Sequence, residues 1–319
     1  MSSHQPIFPI FVGSGRSGTT LVQAIFSAHP DLAITHESQF IPRLADRQYM
    51  REGMFASEMF VRDLNRNPDY RRLEVDDGAL LRSLAERPAS DYSDAVRRVF
   101  MLYAEARGKT RYGDKSPGYV LHMERLAKLF PEARFVHVIR DGRAVALSYV
   151  ETRFGPKDVP AGALYWQRRV TAGRASGHEL GSDRYQELKY ENVIADPEAA
   201  VRDVCPFLGL EFEPAMLRYF EQGEKLRSET ADPGAHQSLA LPPTRGLRNW
   251  REEMSDSDAA IFEALAGSTL TDFGYETSGK NPSPVTVLRA GRAWVHWQAQ
   301  RAAARRKSLR RKRTQSSSN

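Results

Sequence analysis

Short apolar runs and segments of helical period alternate along most of the chain. Residues 7–12, IFPIFV, are an apolar run too short for a helix and read as a buried strand. The TTLVQAIFSAH stretch that follows the glycines puts Leu21, Ile25 and Ala28 on one helical face. LAITHE, residues 32–37, is a second plausible strand. RFVHVI, residues 134–139, is the best marked internal strand, and RAVALSYVETRF after it has the look of a helix. LKYENVIADPEAAVRDVCPFLG continues as a strand, a loop broken at Pro197 and a helix ending near Gly209. Residues 43–107 are charged and helical in pattern, most clearly over 92–106, and are expected to cover one end of the sheet. Pro282 and Pro284 separate a tail from the body, and no internal repeat occurs.

Repeated strand-then-helix units predict an α/β fold with three layers: a central parallel sheet and helices on both faces. Ligands of such sheets sit at the carboxyl ends of the strands. The first such end carries FVGSGRSGTTL, residues 11–21. Gly13, Gly15 and Gly18 satisfy the dinucleotide spacing, and Glu37 falls where a ribose-binding acid would stand. Residues 13–20 also follow a P-loop in which Thr19 replaces the lysine that an NTP-hydrolysing loop needs. The anion cradle survives that replacement, because amide N–H groups at a helix N-terminus face a phosphate whatever side chain follows. Ser17, Thr19 and Thr20 add hydroxyls, and Arg16 adds positive charge upstream.

Charge is divided unevenly. Eleven of the 46 Lys and Arg residues lie after Glu276, where no acidic residue occurs. The body therefore holds 35 basic against 40 acidic residues, a net −5, and its charge does not mark a nucleic-acid surface. A single cysteine, Cys205, excludes an intramolecular disulfide and a multi-cysteine zinc site, and reads as a buried small apolar group. No run approaches a membrane span, and no signal-peptide pattern precedes Ile7, so a cytoplasmic location is the expectation. G-x-S-x-G and H-E-x-x-H are absent, and His122, His137, His178 and His236 lack ligand spacing, so no metal is expected.

Four ordered motifs carry a resemblance: RSGTTLVQAIFSAHPDL, RFVHVIRDGRAVALSYV, KYENVIADPEAAVRDVCPFLGL and NWREEMS…FGYE. Together they resemble sulfotransferases that use 3′-phosphoadenosine-5′-phosphosulfate (PAPS), over most of residues 7–276. RSGTT followed by ITHESQFIPRL is most similar to the branch holding tyrosylprotein sulfotransferases and many bacterial sulfotransferases. The resemblance implies the P-loop-NTPase-like sulfotransferase fold and an enzyme moving a sulfuryl group from PAPS to a hydroxyl on a glycan, lipid, small metabolite or peptide tyrosine. It implies that Arg16, Ser17, Gly18, Thr19 and Thr20 hold the 5′-phosphosulfate, and that Arg140 and Ser148 hold the 3′-phosphate, with Tyr190 near the nucleotide. Glu37 matches the catalytic base, with His36 as an alternative, and Lys115, a lone lysine expected in a loop, matches a contact to the leaving oxygen shared with Arg16. A lysine that relatives place just before the late tryptophan is Asn249 here, which leaves Arg245 or Arg248 to supply that charge. The bland readings are an Arg140–Asp141 ion pair, a capping or ion-paired Glu37, and a half-buried Tyr190.

The expected organisation is a catalytic domain over residues 1–276, with an acceptor-shaping helical segment at about 43–110, and a basic, partly disordered tail over 277–319. Trp294, Val295 and Trp297 lie among the tail's arginines, a composition that suits an anionic membrane surface as well as a solvated tail. Two other functions fit the loop: a kinase-like P-loop phosphotransferase, and a non-catalytic nucleotide-binding protein that docks on membranes.

Overall fold

The computed structural model describes residues 5–222, 239, 241, 249–279 and 282–316, with 304–316 described by backbone alone. Strand β1 (Phe8–Gly13) leads through the glycine loop into α1 (Thr19–Ser27) and β2 (Leu32–Thr35). Helix α2 (Ile41–Leu44) and a small hairpin of β3 (Met50–Arg51) and β4 (Met54–Phe55) follow. Then come α3 (Ser57–Asn65), α4 (Pro68–Arg71), α5 (Asp77–Glu86) and α6 (Tyr92–Glu105), before β5 (Arg111–Lys115) and α7 (Met123–Leu129). The chain continues through β6 (Ala133–Ile139), α8 (Gly142–Val150), α9 (Val159–Leu180), β7 (Tyr185–Lys189), α10 (Tyr190–Ala195) and α11 (Pro197–Phe207). The later helices are α12 (Trp250–Glu253), α13 (Asp256–Asp272) and α14 (Pro284–Ser316). The chain divides into two compact units: residues 1–140 with 172–245, and residues 141–171 with 246–319.

The first unit contains the sheet, in the order β2-β5-β1-β6-β7 and parallel throughout. Alternation along β1 explains why helices are needed on both faces. Phe8, Ile10 and Val12 enter one apolar core, while Phe11 enters the other. On the first face Phe8 meets the rings of Phe100, Tyr112 and Phe130 at 5.0–5.2 Å between centroids. On the second, Phe11 packs against Phe26 of α1, and Val136 and Val138 of β6 join the α11 residues Val201, Val204 and Cys205. The 43–107 segment does more than cap an end of the sheet. Through α6 it forms part of the first core, because Val96, Val99, Phe100 and Tyr103 fall on one helical stripe.

The strands β3, β4 and β5 escaped the sequence pattern, and most of LKYENV, expected as a strand, is helix α10, with β7 ending at Lys189. RYGDK becomes β5, between β1 and β2, although it lacks the β-branched run of a buried parallel strand. Gly113 is the reason the backbones fit: a Cβ there would stand 3.0 Å from the Pro9 carbonyl oxygen.

The second unit is organised around a buried arginine. Gly142 lets α8 approach Trp166 and Phe262, whose carbons would lie 2.5 and 2.6 Å from an added Cβ. Arg143, only 1% exposed, grips Asp141 through Nε at 3.0 Å and Nη2 at 2.8 Å, and reaches Glu263 at 2.9 Å. Its guanidinium also donates to the Glu276 carbonyl and lies 3.6 Å from the Trp250 ring centre. Asp141, read from the sequence as an ion-pair partner of Arg140, is bound by Arg143. Removing this charge would leave two largely buried carboxylates uncompensated. Arg143→Met should lower the unfolding free energy by about 3 kcal/mol or more, read from urea titration of the intact protein; a loss under about 1 kcal/mol would show that the cluster is not a structural joint.

Candidate active site

The glycine loop is shaped by what its backbone must do. Ser17 N–H donates to the Ser14 carbonyl at 3.2 Å, closing a turn that carries Arg16 at φ 69°. Gly18 follows at φ 85° as the N-cap of α1. No side chain caps α1 and no acid occupies its first turn, so its leading N–H groups remain available to an anion. Thr19 and Thr20 are buried on that turn. The Ser14 and Ser17 hydroxyl oxygens are wholly buried, and neither has a hydrogen-bond partner among the described residues. Such orphaned groups suit a bound anion, and the loop therefore fits a phosphate or phosphosulfate.

Tyr190, at the start of α10, closes over this loop. A Cβ on Gly18 would lie 2.2 Å from the Tyr190 ring, so only glycine permits the contact. Arg140, just past the end of β6, places its guanidinium 4.4 Å from the centre of the same ring. Burial raises the pKa of the Tyr190 phenol, although the charge of Arg140 opposes the shift. The structure thus gathers Arg140, Tyr190 and Gly18 at one end of the loop.

Lys115 meets the first turn of α1. Expected in a loop, it is instead the last residue of β5, its side chain 3% exposed, paired in register with Phe11 of β1. Its Nζ lies 3.4 Å from Thr20 Oγ1 and 3.3 Å from Glu37 Oε1. Glu37 lies two residues beyond β2, with a side chain 46% exposed, and accepts a second bond from Gln39 Nε2 at 3.2 Å. Burial works to raise its pKa. The charge and hydrogen bond of Lys115, helped by Gln39 and the nearby His36, outweigh that and hold the carboxyl below its ordinary value.

Asp114 was not singled out by sequence reasoning. Successive residues of a strand face opposite sides, so while Lys115 turns to Thr20 and Glu37, Asp114 enters a wholly buried polar cluster. Its Oδ2 accepts from Thr35 Oγ1 at 3.1 Å. Ser38 Oγ and Tyr119 Oη lie 2.9 Å apart, and Tyr119 Oη accepts from the Ile41 N–H at 3.2 Å. The cluster therefore brackets the Glu37 loop from beneath. Burial pushes the Asp114 carboxyl up to about 6, with the Thr35 hydroxyl, the neighbouring Ser38 and Ser116 and the Lys115 charge offsetting part of the effect. The signal was an acid next to a candidate lysine, legible only once both belong to one strand.

Ser148 is buried on α8 in the second unit. Arg245, Arg248 and His236 lie outside the described residues. Asn249 caps α12, accepting from the Arg251 N–H at 3.3 Å. Cys205 is buried and its thiol is pushed up to about 11 by burial. His137 is wholly buried, with Nδ1 2.7 Å from Tyr185 Oη, and burial lowers it to about 4.

A parallel sheet with a glycine-rich anion cradle between its first strand and helix defines the P-loop-like class, and two solved structures share the fold. The sulfotransferase domain from the Synechococcus PCC 7002 olefin synthase superposes with a TM-score of 0.55 at 19% identity, covering 92% of this chain and 96% of that one. The sulfotransferase domain from the curacin biosynthetic pathway gives 0.53 at 18% identity, covering 86% and 100%. In sequence, nodulation protein NoeE of Sinorhizobium fredii is 26% identical over 90% of this chain and 70% of its own length. Protein-tyrosine sulfotransferase 1 of Danio rerio is 27% identical over 66% of this chain and 56% of its own. Residues 7–214 match the sulfotransferase family, and the chain belongs to it.

The Asp114 carboxyl gives a pH test of the buried cluster. Its folded value near 6 exceeds the ordinary 3.8, so the folded state holds the proton more tightly and stability falls as pH rises through that interval. Asp114→Asn lacks this loss, and its stability relative to the parent should grow by up to about 3 kcal/mol between pH 4 and pH 7. Urea titrations at several pH values check it; parallel pH dependence in the two proteins would contradict the assignment.

Proposed function

We propose that this sulfotransferase takes its sulfuryl group from PAPS and passes it directly to an acceptor hydroxyl, with Glu37 as base. The observation that carries the proposal is the placement of Lys115 between Thr20 of the anion loop and the Glu37 carboxylate, at 3.4 and 3.3 Å. A phosphate-binding loop alone fits many nucleotides. A buried lysine joining it to an ionised carboxylate supplies in one place the two things that sulfuryl transfer to a hydroxyl demands: a base and a stabilised leaving group.

In the proposed reaction the acceptor oxygen bonds to sulfur as the bond from sulfur to the bridging phosphate oxygen breaks, and the electron pair stays on the departing 5′-phosphate. Glu37 takes the acceptor's proton. The charge that collects on the phosphate is met by Lys115, by Arg16 and by the leading amides of α1, with Ser17, Thr19 and Thr20 as hydroxyl donors. When Lys115 turns to the donor it relaxes its hold on Glu37. The carboxylate then gains basicity at the moment a proton must be removed, since its low pKa depends on that lysine. Arg140 and Ser148 are assigned to the 3′-phosphate on the family resemblance, with Tyr190 near the nucleotide, and Arg245 or Arg248 stands in for the lysine that Asn249 replaces. The relatives named as protein-tyrosine sulfotransferases support a hydroxyl acceptor, and peptide tyrosine is one member of that class.

Two measurements test this reading. 3′,5′-bisphosphoadenosine should raise the melting temperature, whereas ATP with Mg²⁺ should not; stabilisation by ATP with Mg²⁺ and γ-phosphate transfer would favour a phosphotransferase. Glu37→Gln should bind the bisphosphate nearly as the parent does while turnover with a labelled donor and a cell-extract acceptor falls ~10²-fold or more. Full turnover in that variant would remove Glu37 as base.

A further inference from the structure

The tail helix α14 packs against α13 on one side and leaves apolar and basic residues exposed on the other. Its inner face is set by half-buried Thr286, buried Ala290, and half-buried Ala293 and Trp297, a helical spacing that packs on α13 in the second unit. A surface helix should be polar on the opposite face. Instead Val287, Leu288, Trp294 and Val295 are 55%, 57%, 51% and 61% exposed, with Gly291 between them, and the exposed Arg289 and Arg292 flank this stripe. Seven further basic residues follow between Arg305 and Arg313, with no acidic residue after Glu276.

We propose that α14 docks this protein on an anionic lipid surface, the stripe Val287, Leu288, Trp294 and Val295 entering the interface and the arginines meeting the headgroups. Three considerations select this occupant. A second copy seated on the same stripe would bring two equally basic helices together, which repel. A nucleic acid would satisfy the arginines and leave the stripe in water. A bilayer interface satisfies both at once, with tryptophan at the headgroup level. The helix lies on the surface and does not cross it, because no described helix is long and apolar enough to span a membrane. Net basicity is confined to the tail: residues before 277 carry a net −5. Docking on acidic lipid is therefore the work of the tail.

The test is flotation of the full chain with vesicles of phosphatidylcholine alone or with roughly one-third phosphatidylserine. Two variants accompany it: Leu288→Ser/Trp294→Ser/Val295→Ser for the stripe, and Arg305→Gln/Arg306→Gln/Arg310→Gln/Arg311→Gln for the charge. The parent should float with the acidic vesicles only, and each variant should weaken that binding by on the order of tenfold or more. The bisphosphate-induced rise in melting temperature, which reports the nucleotide site and not the tail, should persist in both. Equal binding of the stripe variant, equal flotation with neutral vesicles, no flotation of the parent, or loss of vesicle binding to competing polyuridine would each overturn the proposal. So would a lipid-free dimer of the parent that the stripe variant abolishes.

Discussion

The ammonium of Lys115 ties together the parts of this site that the sequence keeps far apart. Thr20 belongs to the first helix, Glu37 follows the second strand, and Lys115 ends a strand almost eighty positions beyond Glu37. A lysine so buried is tolerated only where anions or polar oxygens meet it, and here a carboxylate and a hydroxyl do so. The consequence runs both ways. Glu37 is held ionised although its surroundings would raise its pKa, and the lysine is held at the mouth of an anion-binding loop. In a family that transfers sulfuryl groups, that arrangement couples base and leaving-group stabilisation through one shared cation.

The sheet supplies the precision this coupling needs. Register fixes Lys115 opposite Phe11, two residues before the glycine loop begins, and Asp114 opposite Thr35, two residues before Glu37. One dipeptide of β5 therefore braces both sides of the site, through its two faces. The loop contributes what no side chain can: uncapped helix amides, buried serine hydroxyls, and a glycine against which Tyr190 lies too closely for any Cβ. Arg140 over the Tyr190 ring extends that end of the site with a charge at the strand terminus.

Much of this was legible in the chain. The strand, glycine loop and helix at residues 8–27 were readable because an apolar run, three glycines and a helical stripe follow one another without ambiguity. The strand at 133–139 and the helix at 92–105 were equally plain in their periods. β5 was not, because RYGDK is short, charged and held by the close approach at Gly113, which only neighbouring strands reveal. Lys115 could consequently be named from a motif but not placed, and Asp114 not named at all. The same limit applies to Arg143: its two carboxylates and its tryptophan come from distant segments, and composition alone marks it as one more surface arginine.

The most direct measurement is the titration of the Glu37 carboxyl by isotope-edited infrared or carbon NMR, in the parent protein and in Lys115→Met. The carboxyl should titrate below the ordinary 4.5 in the parent and clearly higher once the lysine is removed, because burial is then opposed only by Gln39 and His36. The same Glu37 pKa in both proteins would show that Lys115 does not control the base, and would contradict the coupling on which this account of the site is built.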